Sequence, residues 1–240
     1  TTRLDEEQRE CVRTIQASTR SLMALVEDVL DISAIEAGKL RLNAEDFSPR
    51  ELVTGIGLIL HPQARAKSVD YLVVIGQDVP ETVHGDAGHL RQVLMNLVGN
   101  AVKFTDKGRV RLDVEVVPRG LEESRVRLRF VVTDTGIGIP MAMRERLFDA
   151  FEQADGGLGR RHGGTGLGTT IARSLTEAMG GRIGFESAEG RGSRFWVELP
   201  FGAPQAARYD PVTAPVAEVE AETALRDAGG NVIAFADPFL

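Results

Sequence analysis

Apolar residues repeat every seven positions along the N-terminal part of the chain, where residues 4–36 contain no Gly or Pro. Two such series are offset by three or four positions and form a heptad seam of Ile15, Leu22 and Val29 with Cys11, Ser18, Leu25 and Ile32. A seam of this kind predicts a long helix that packs against partner helices. Packing on the core of the same chain is the alternative. Because no second long helix of similar pattern follows, we favour an intermolecular bundle.

The pattern changes after Gly38, where segments of helical period are interspersed with segments of alternating apolar and polar residues. The helical period predicts helices at 48–60, 86–104 and 169–179, and a short one at 143–151. Alternation predicts strands at 40–47, 69–76, 82–85, 110–117, 125–132, 182–187 and 193–199. After Pro200, Gly, Ala, Pro and acidic residues dominate, which is typical of a linker. The predicted domains are therefore 1–38, 39–200 and 201–240, the last with a short helix near 217–227 and an apolar segment at 232–240.

The composition limits the partners and compartments that suit this chain. Its 240 residues carry 28 basic and 35 acidic side chains, a formal net charge of −7. This balance argues against nucleic acid as a partner, because neutralising phosphates needs clustered Lys and Arg. The single Cys11 excludes an intrachain disulfide and suits a reducing compartment. The longest nearly apolar run, residues 52–60, is too short to span a bilayer. The chain begins without Met, so we expect it to be a piece of a longer protein.

The heptapeptide DTGIGIP, from Asp134 to Pro140, places an aspartate at the end of a predicted strand and opens a glycine turn. Gly136 and Gly138 can adopt positive φ and let a ligand approach the backbone closely. A carboxylate beside such backbone can accept a hydrogen bond from the exocyclic amine of a purine. An ordinary strand-to-helix turn is the alternative for this heptapeptide alone, and the other motifs favour the nucleotide.

Three polar residues on the helix predicted at 86–104 form a second candidate site. Asn96, Asn100 and Lys103 are spaced i, i+4 and i+7, so they share one face. Asn is a poor residue for the middle of a helix because its side chain competes for backbone hydrogen bonds. Amide oxygens beside an ammonium group suit Mg²⁺ and phosphate. A solvated helix face is the alternative.

A glycine-rich segment adds a third candidate site. Residues 155–168, DGGLGRRHGGTGLG, contain seven glycines and predict a mobile loop. Arg160 and Arg161 in this loop could contact phosphates. The GTGLG end opens a predicted helix whose free N–H groups can bind an anion.

In this order, the motifs resemble those of the catalytic region of a sensor histidine kinase, in the GHKL ATPase superfamily. RQVLMNLVGNAVKFT resembles the N box, DTGIGIP the first G box, LFDAFEQAD the F box and GGTGLG the second G box. The FEQAD form resembles hybrid kinases, which carry a receiver domain downstream. The resemblance covers roughly residues 4–200. It implies that residues 1–38 are the second helix of the dimerisation and histidine-phosphotransfer hairpin. It implies an α+β fold for residues 39–200, the Bergerat-type α/β sandwich with a mixed sheet and helices on one face.

The resemblance also implies the cofactors, ATP and Mg²⁺, and the residues that hold them. Asp134 would bind the adenine amine, and Asn100 would be the Mg²⁺ ligand. Asn96 and Lys103 would be the catalytic residues, with Lys103 on the phosphates. Other residues would shape the pocket and its lid: Gly136, Gly138, Arg160, Arg161, Gly164, Thr165, Gly166, Leu167 and Gly168.

Two departures from the family pattern change the expected activity. The phosphoacceptor motif, His followed by an acidic residue and a nearby Pro, is absent, and none of the four histidines matches it. We therefore expect this chain to be unable to autophosphorylate. Asn96 stands where related ATPases carry a glutamate general base. Without that base water is poorly activated, which suits a kinase and not an efficient hydrolase.

Together these features predict an ATP–Mg²⁺-binding kinase core. It would transfer the γ-phosphoryl group to a histidine absent from this chain, for relay to a response-regulator aspartate. The alternative is a dimeric scaffold with a degenerate nucleotide pocket that docks a response regulator. A GHKL ATPase doing mechanical work is disfavoured by Asn96. The expected partners are a second copy, through the N-terminal helix, and a receiver domain of the same full-length protein. We expect a cytoplasmic region of a protein anchored in the bacterial inner membrane.

Overall fold

The computed structural model describes residues 5–118, 125–148, 166–204, 224–226 and 232–235. The helices among them are α1 (Glu6–Glu36), α2 (Pro49–Ala66), α3 (Ala87–Phe104), α4 (Met141–Arg144) and α5 (Gly168–Ala178). The strands are β1 (Glu45–Phe47), β2 (Val69–Ile75), β3 (Val83–Gly85), β4 (Gly108–Val116), β5 (Val126–Asp134), β6 (Arg182–Ala188), β7 (Gly192–Phe201), β8 (Ala224–Arg226) and β9 (Val232–Phe235).

Short polar side chains begin the three longest helices by accepting hydrogen bonds from otherwise unpaired backbone N–H groups. Asp5 caps α1 in a reciprocal capping box with Gln8. Ser48 accepts from the N–H of Glu51 at the start of α2, and Asp86 accepts from the N–H of His89 at the start of α3. Local sequence therefore sets where these helices begin.

The main sheet has the strand order β6-β7-β5-β4-β2-β9-β8. β2 and β4 are parallel, and all other neighbouring strands of this sheet, within the part of the chain that the structure describes, pair in antiparallel fashion. β1 and β3 form a separate antiparallel ribbon. The mixed sheet predicted for residues 39–200 is therefore confirmed.

The core lies between one face of the sheet and helices α2, α3 and α5. Alternate residues of the central strands, such as Leu112, Phe130 and Val197, are fully buried on this face. Ile56 of α2 and Ile171 of α5 pack in the same cluster. Burial of one such side chain stabilises the fold by about 1.5–3 kcal/mol. The helices predicted on one face of the sheet are confirmed.

The opposite face of the sheet carries a buried ionic cluster. Glu198 of β7 is 0% exposed and accepts hydrogen bonds from Arg129 of β5 and Arg182 of β6. Both guanidinium groups also lie near the ring of Trp196. Burial raises the pKa of Glu198, but the hydrogen bonds from the two arginines outweigh this and hold the pKa below its ordinary value.

Three apolar residues of the heptad seam of α1 are exposed to solvent. Ile15, Leu22 and Val29 are 64%, 61% and 48% exposed, whereas Ile35, near the end of the helix, packs against the core. The alternative that the seam packs on the core of the same chain is therefore wrong for these three residues. An exposed apolar stripe of this width fits a helical partner.

The tail contains strands that the sequence pattern did not predict. Residues 224–226, within the segment predicted as a short helix near 217–227, form β8, so the helix prediction is wrong at these residues. Pairing with β9 determines their conformation. β9 lies in the segment predicted as apolar and pairs with β2. The short helix predicted at 143–151 begins earlier, as α4, and residues 149–151 lie outside the described residues.

Candidate functional site

Two residues of the predicted polar stripe on helix α3, Asn96 and Asn100, lie close to the start of α5. A Cβ added to Gly168, the first residue of α5, would lie 3.3 Å from Asn96 Oδ1 and 3.8 Å from Asn100 Nδ2. The glycine therefore lets the two helices approach closely at these side chains. The structure thus brings together Asn96, Asn100 and Gly168, which are distant in sequence.

Asn96 is the residue of this stripe whose polar group is left without a partner. Its Nδ2 atom is buried, and among the described residues no hydrogen-bond acceptor reaches it. A buried unpaired amide is costly, about 1–3 kcal/mol, so such groups call for an explanation. An acceptor oxygen on a bound ligand would satisfy this one.

The N-terminus of α5 presents backbone donors next to the same side chains. Leu167, which precedes the helix, is 2% exposed, and Gly166 has a φ of +73°. No side chain caps this end of the helix among the described residues. The first N–H groups of α5 and the positive end of its dipole are therefore available to an anion. Thr169 fastens this helix to the segment after α4, because its hydroxyl donates to the carbonyl of Leu147 over 2.8 Å.

Asp134, the last residue of β5, is buried, with 7% of its surface exposed. Its Oδ1 accepts a hydrogen bond of 2.8 Å from the N–H of Gly136. The backbone N–H and the hydroxyl of Ser193 also donate to its carboxylate. Burial raises the pKa of Asp134, and the hydrogen bonds from Gly136 and Ser193 oppose this effect without cancelling it. The carboxylate is thus fixed in orientation at the bottom of the glycine turn.

The two glycines of the turn allow it to pack between α3 and the hairpin of β6 and β7. A Cβ on Gly136 would lie 2.3 Å from the carbonyl oxygen of Phe104, at the end of α3. Gly138 has a φ of +67°, and a Cβ there would lie 2.1 Å from the carbonyl oxygen of Ala188. Any side chain at either position would move the backbone beside Asp134.

Lys103 lies on the last turn of α3, half-buried, with its Nζ 4.8 Å from the centre of the Phe104 ring. Burial lowers the pKa of Lys103, and the nearby charge of Lys67 lowers it further. Lys67 donates hydrogen bonds to the carbonyls of Val102, Lys103 and Thr105, which satisfies the end of the helix. Two cations therefore lie at the end of α3, on the side of the sheet where β5 ends.

Sequence reasoning missed three residues that shape this site. Ser193 holds Asp134, and Ser187 accepts from the N–H of Ile139 and lies 3.0 Å from the Ser193 hydroxyl. The Ser193 position was visible in the hairpin motif GRGSRF, whose Ser follows a glycine turn. Lys67 carries no comparable signal, because it lies about 35 residues from the carbonyls that it contacts.

The remaining predicted site residues do not fall within the structure's described part. Arg160, Arg161, Gly164 and Thr165 lie outside the described residues. Within the described ranges, no group of three or more His, Cys, Asp or Glu side chains could hold a metal ion. The helices of the same ranges include none with the length and apolar character needed to cross a membrane.

Two family descriptions match the chain. Residues 85–203 match the histidine kinase-, DNA gyrase B-, and HSP90-like ATPases, and residues 1–38 match the His Kinase A (phospho-acceptor) domain. The sensory/regulatory protein RpfC of Xanthomonas campestris pv. campestris is 58% identical over 241 residues. The signal transduction histidine-protein kinase BarA of Escherichia coli (strain K12) is 43% identical over 198 residues. These alignments cover 100% and 82% of this chain, but only 33% of RpfC and 21% of BarA.

The solved structures that align with this chain include histidine kinases. The crystal structure of full-length ShkA in complex with AMPPNP aligns with a TM-score of 0.69 and 35% identity, over 84% of this chain and 40% of ShkA. The Acinetobacter baumannii histidine kinase AdeS aligns with a TM-score of 0.63 over 83% of this chain and 86% of AdeS. Its sequence identity is 22%, so this likeness shows the fold alone. The matches confirm the predicted fold class and the resemblance of the motifs to hybrid kinases of the RpfC type.

Proposed function

We propose that this chain is the ATP-binding catalytic core of a sensor kinase. The chain belongs to the histidine kinases of the gyrase B- and HSP90-like ATPase family. In this proposal the core binds ATP with Mg²⁺ and transfers the γ-phosphoryl group to a histidine that is none of the four in this sequence. The phosphoryl group then passes to an aspartate of a receiver domain. The chain itself does not autophosphorylate.

The convergence of three motifs at one end of the sheet carries this proposal. The N-terminus of α5 meets Asn96 and Asn100 of α3, and the last turn of α3 meets the glycine turn that follows Asp134. The carboxylate and the helix N-terminus are two different recognition groups, one for a hydrogen-bond donor and one for an anion. A purine nucleotide carries both an exocyclic amine and phosphates, so it fits this pair.

Each residue then has a role that follows from its chemistry. Asp134, held by Gly136 and Ser193, accepts a hydrogen bond from the adenine amine. The N–H groups of α5 and the ammonium of Lys103 contact the phosphate oxygens. The lid of the nucleotide pocket consists, in this proposal, of Gly166 and Leu167 together with four residues outside the described ranges: Arg160, Arg161, Gly164 and Thr165.

The side chains on α3 fit a magnesium ion that is bound mainly by phosphate. Mg²⁺ prefers oxygen ligands and often takes one or two from the protein and the others from phosphates and water. Asn100 would supply an amide oxygen, and the unpaired Nδ2 of Asn96 would donate to a ligand oxygen. When bound, the ion would neutralise the charge that develops on the transferring phosphoryl group.

The residue types at the site favour phosphoryl transfer over hydrolysis. The amide of Asn96 cannot take a proton from water, so it does not act as a general base. Catalysis then depends on positioning and on charge stabilisation by Lys103 and the α5 N-terminus. A histidine nucleophile needs no activated water, since its neutral imidazole attacks the phosphorus directly.

We further propose that the exposed seam of α1, containing Ile15, Leu22 and Val29, packs against a second copy of the chain in a helical bundle. The match of residues 1–38 to the His Kinase A domain supports dimerisation through this helix. We also propose a receiver domain as the relay partner and a full-length protein anchored in the bacterial inner membrane. Relatives that are described as hybrid and sensor histidine kinases support both statements.

Calorimetric titration with a non-hydrolysable ATP analogue, with and without Mg²⁺, tests the nucleotide site. Asp134→Asn should weaken binding at least tenfold, because a donor N–H replaces one acceptor oxygen in a buried site. Asp113→Asn is the matched control. That aspartate is half-buried and hydrogen-bonded to Arg111 on the opposite face of the sheet.

Mg²⁺-dependent binding that is lost only in Asp134→Asn supports the kinase core. No binding by a protein whose circular dichroism shows it folded would refute it and favour the scaffold with a degenerate pocket. Stable phosphorylation of any of the four histidines after incubation with ATP would contradict the proposed transfer to another histidine.

A further inference from the structure

Strand β2 is the outermost strand of the kinase sheet before the tail is added. Its sequence, VDYLVVI, is apolar, and four of its seven residues are buried. An apolar edge strand exposes unpaired N–H and C=O groups and is a template for another strand. In this chain the template is occupied, since β9 pairs with β2 in antiparallel register, from Val74 opposite Val232 to Leu72 opposite Ala234.

The contact of β9 with the sheet includes the core as well as the backbone. Ile233 is 1% exposed and belongs to the same hydrophobic cluster as the central strands. β9 also lies against α2, the helix that covers β2. Full burial of an isoleucine contributes about 1.5–3 kcal/mol. The outer neighbour of β9 is β8, which has three residues, and short edge strands are one way in which proteins prevent further pairing.

Because of the direction of β9, the chain ends up at the opposite end of the sheet from the one where β7 ends. β7 ends at Phe201, opposite Val126, the first residue of β5 and the one farthest from Asp134. β9 then runs antiparallel to β2, toward Val69, which lies opposite Gly108 at the Asp134 end of the sheet. The chain therefore departs from one end of the sheet after β7 and returns to the other end after β9.

We propose that β8 and β9 are a built-in tether that delivers the chain after residue 235 to the nucleotide end of the sheet. The β2 edge is the docking surface, and its occupant is residues 232–235 of the same chain. Lys67, two residues before β2, contacts the carbonyls at the end of α3, so the start of β2 at this end of the sheet lies next to the helical turn that carries Lys103.

The length of the chain between β7 and β9 shows how strongly docking restricts the position of the tail. A nine-residue strand such as β5 spans about 27 Å. About 30 residues separate Gly202 from β9, and a free chain of this length has a root-mean-square end-to-end distance of roughly 30 Å. Without docking, the end of this segment would range over roughly 30 Å around the far end of the sheet. With docking, β9 holds it toward the Asp134 end of the sheet, where Ala234 lies opposite Leu72.

Pulsed electron paramagnetic resonance on the full chain tests the tether. Spin labels replace Arg191, in the exposed turn between β6 and β7 at the Asp134 end, and Ala236, after Cys11→Ser removes the exposed native thiol. Arg191 lies between β6 and β7, so four to five strand spacings of about 4.8 Å separate it from β9 and predict a narrow backbone separation of about 20–25 Å. A free tail predicts a broad distribution centred beyond about 30 Å.

Ile233→Asp should convert the narrow distribution into the broad one, because a charge cannot be buried in an apolar core without large cost. Ile233→Val keeps an apolar side chain and should leave the distribution narrow. A reference pair at Arg191 and Ala203 spans β7 and reports whether the sheet is intact. Ile233→Thr repeats the test if Ile233→Asp disturbs that pair.

A broad distribution in the parent chain overturns the tether. So does a narrow distribution that persists when Ile233 is replaced by Asp or Thr in a folded sheet. The measurement needs no nucleotide, so its outcome is independent of the proposed kinase function.

Discussion

Replacing Gly138 by alanine should destabilise the protein more than the same replacement at Gly190, although both residues have positive φ. The φ angles are +67° and +73°, and alanine in this left-handed region costs about 1–2 kcal/mol. Nothing lies within 4 Å of a Cβ added at Gly190. A Cβ added at Gly138 would lie 2.1 Å from the carbonyl oxygen of Ala188. The difference between the two variants isolates this contact.

A third variant measures the contact without the backbone strain. Gly136 is not among the glycines with positive φ, but its Cβ would lie 2.3 Å from the carbonyl oxygen of Phe104. Forcing extra atoms into a packed site costs about 1–3 kcal/mol. We therefore expect losses in the free energy of unfolding of about 1–2 kcal/mol for Gly190→Ala, about 1–3 for Gly136→Ala and about 2–5 for Gly138→Ala.

Urea unfolding followed by circular dichroism gives these differences directly. With a slope of about 2 kcal/mol per molar urea, Gly190→Ala should lower the midpoint by roughly 0.5–1 M. Calorimetry with an ATP analogue should show weaker binding for Gly136→Ala and Gly138→Ala, because both side chains displace the backbone that hydrogen-bonds Asp134. Gly190→Ala should bind normally.

The reasoning is refuted if Gly138→Ala and Gly190→Ala unfold at the same urea concentration. Equal midpoints would mean that the turn relaxes away from Ala188 at no cost. Normal nucleotide affinity in Gly138→Ala would separately show that the position of this turn does not govern binding.

Three further predictions concern charged groups. Glu198→Gln should cost about 2–3 kcal/mol at neutral pH, somewhat below the value for fully buried pairs because its arginine partners are partly exposed. The pKa of Glu198 is lowered on folding, so the ionised carboxylate contributes to the free energy of unfolding above pH 4.5, and this contribution is lost as pH falls. Glu198→Gln should therefore reduce the loss of stability on acidification. An equally steep loss in the variant and the parent protein would contradict this. Lys67→Met should raise the pKa of Lys103, measured by NMR of labelled lysine, and cost about 1 kcal/mol through lost helix-end hydrogen bonds; an unchanged pKa would show that the two charges do not interact. Because the pKa of Asp134 is raised above 3.8, its protonation on acidification begins at higher pH than for an ordinary aspartate. Nucleotide affinity should therefore fall on acidification in calorimetry, whereas an affinity that stays constant over the whole acid range in which the protein remains folded would exclude an ionised Asp134 as the acceptor.

The approximate positions of most elements before the tail, and most of the candidate site residues, were available from the sequence. The helical period of Leu90, Leu94 and Leu97 defined α3, and the polar stripe on the same helix identified Asn96 and Asn100. Ser48 and Asp86 marked helix starts within one residue, because capping is a local hydrogen bond between neighbours. The motif order then supplied Asp134 and the glycines of its turn.

Tertiary structure decided which of these groups meet and which other residues support them. Lys67 reaches the end of α3 across about 35 residues, and Ser193 reaches Asp134 across about 60, distances at which no local pattern links the partners. The tail was the clearest case, since its composition predicts a linker and its strand forms only because the β2 edge offers unpaired backbone groups and a place for Ile233. A periodic pattern reports the local geometry of one segment, whereas strand pairing and buried hydrogen bonds depend on a second segment that the pattern does not identify.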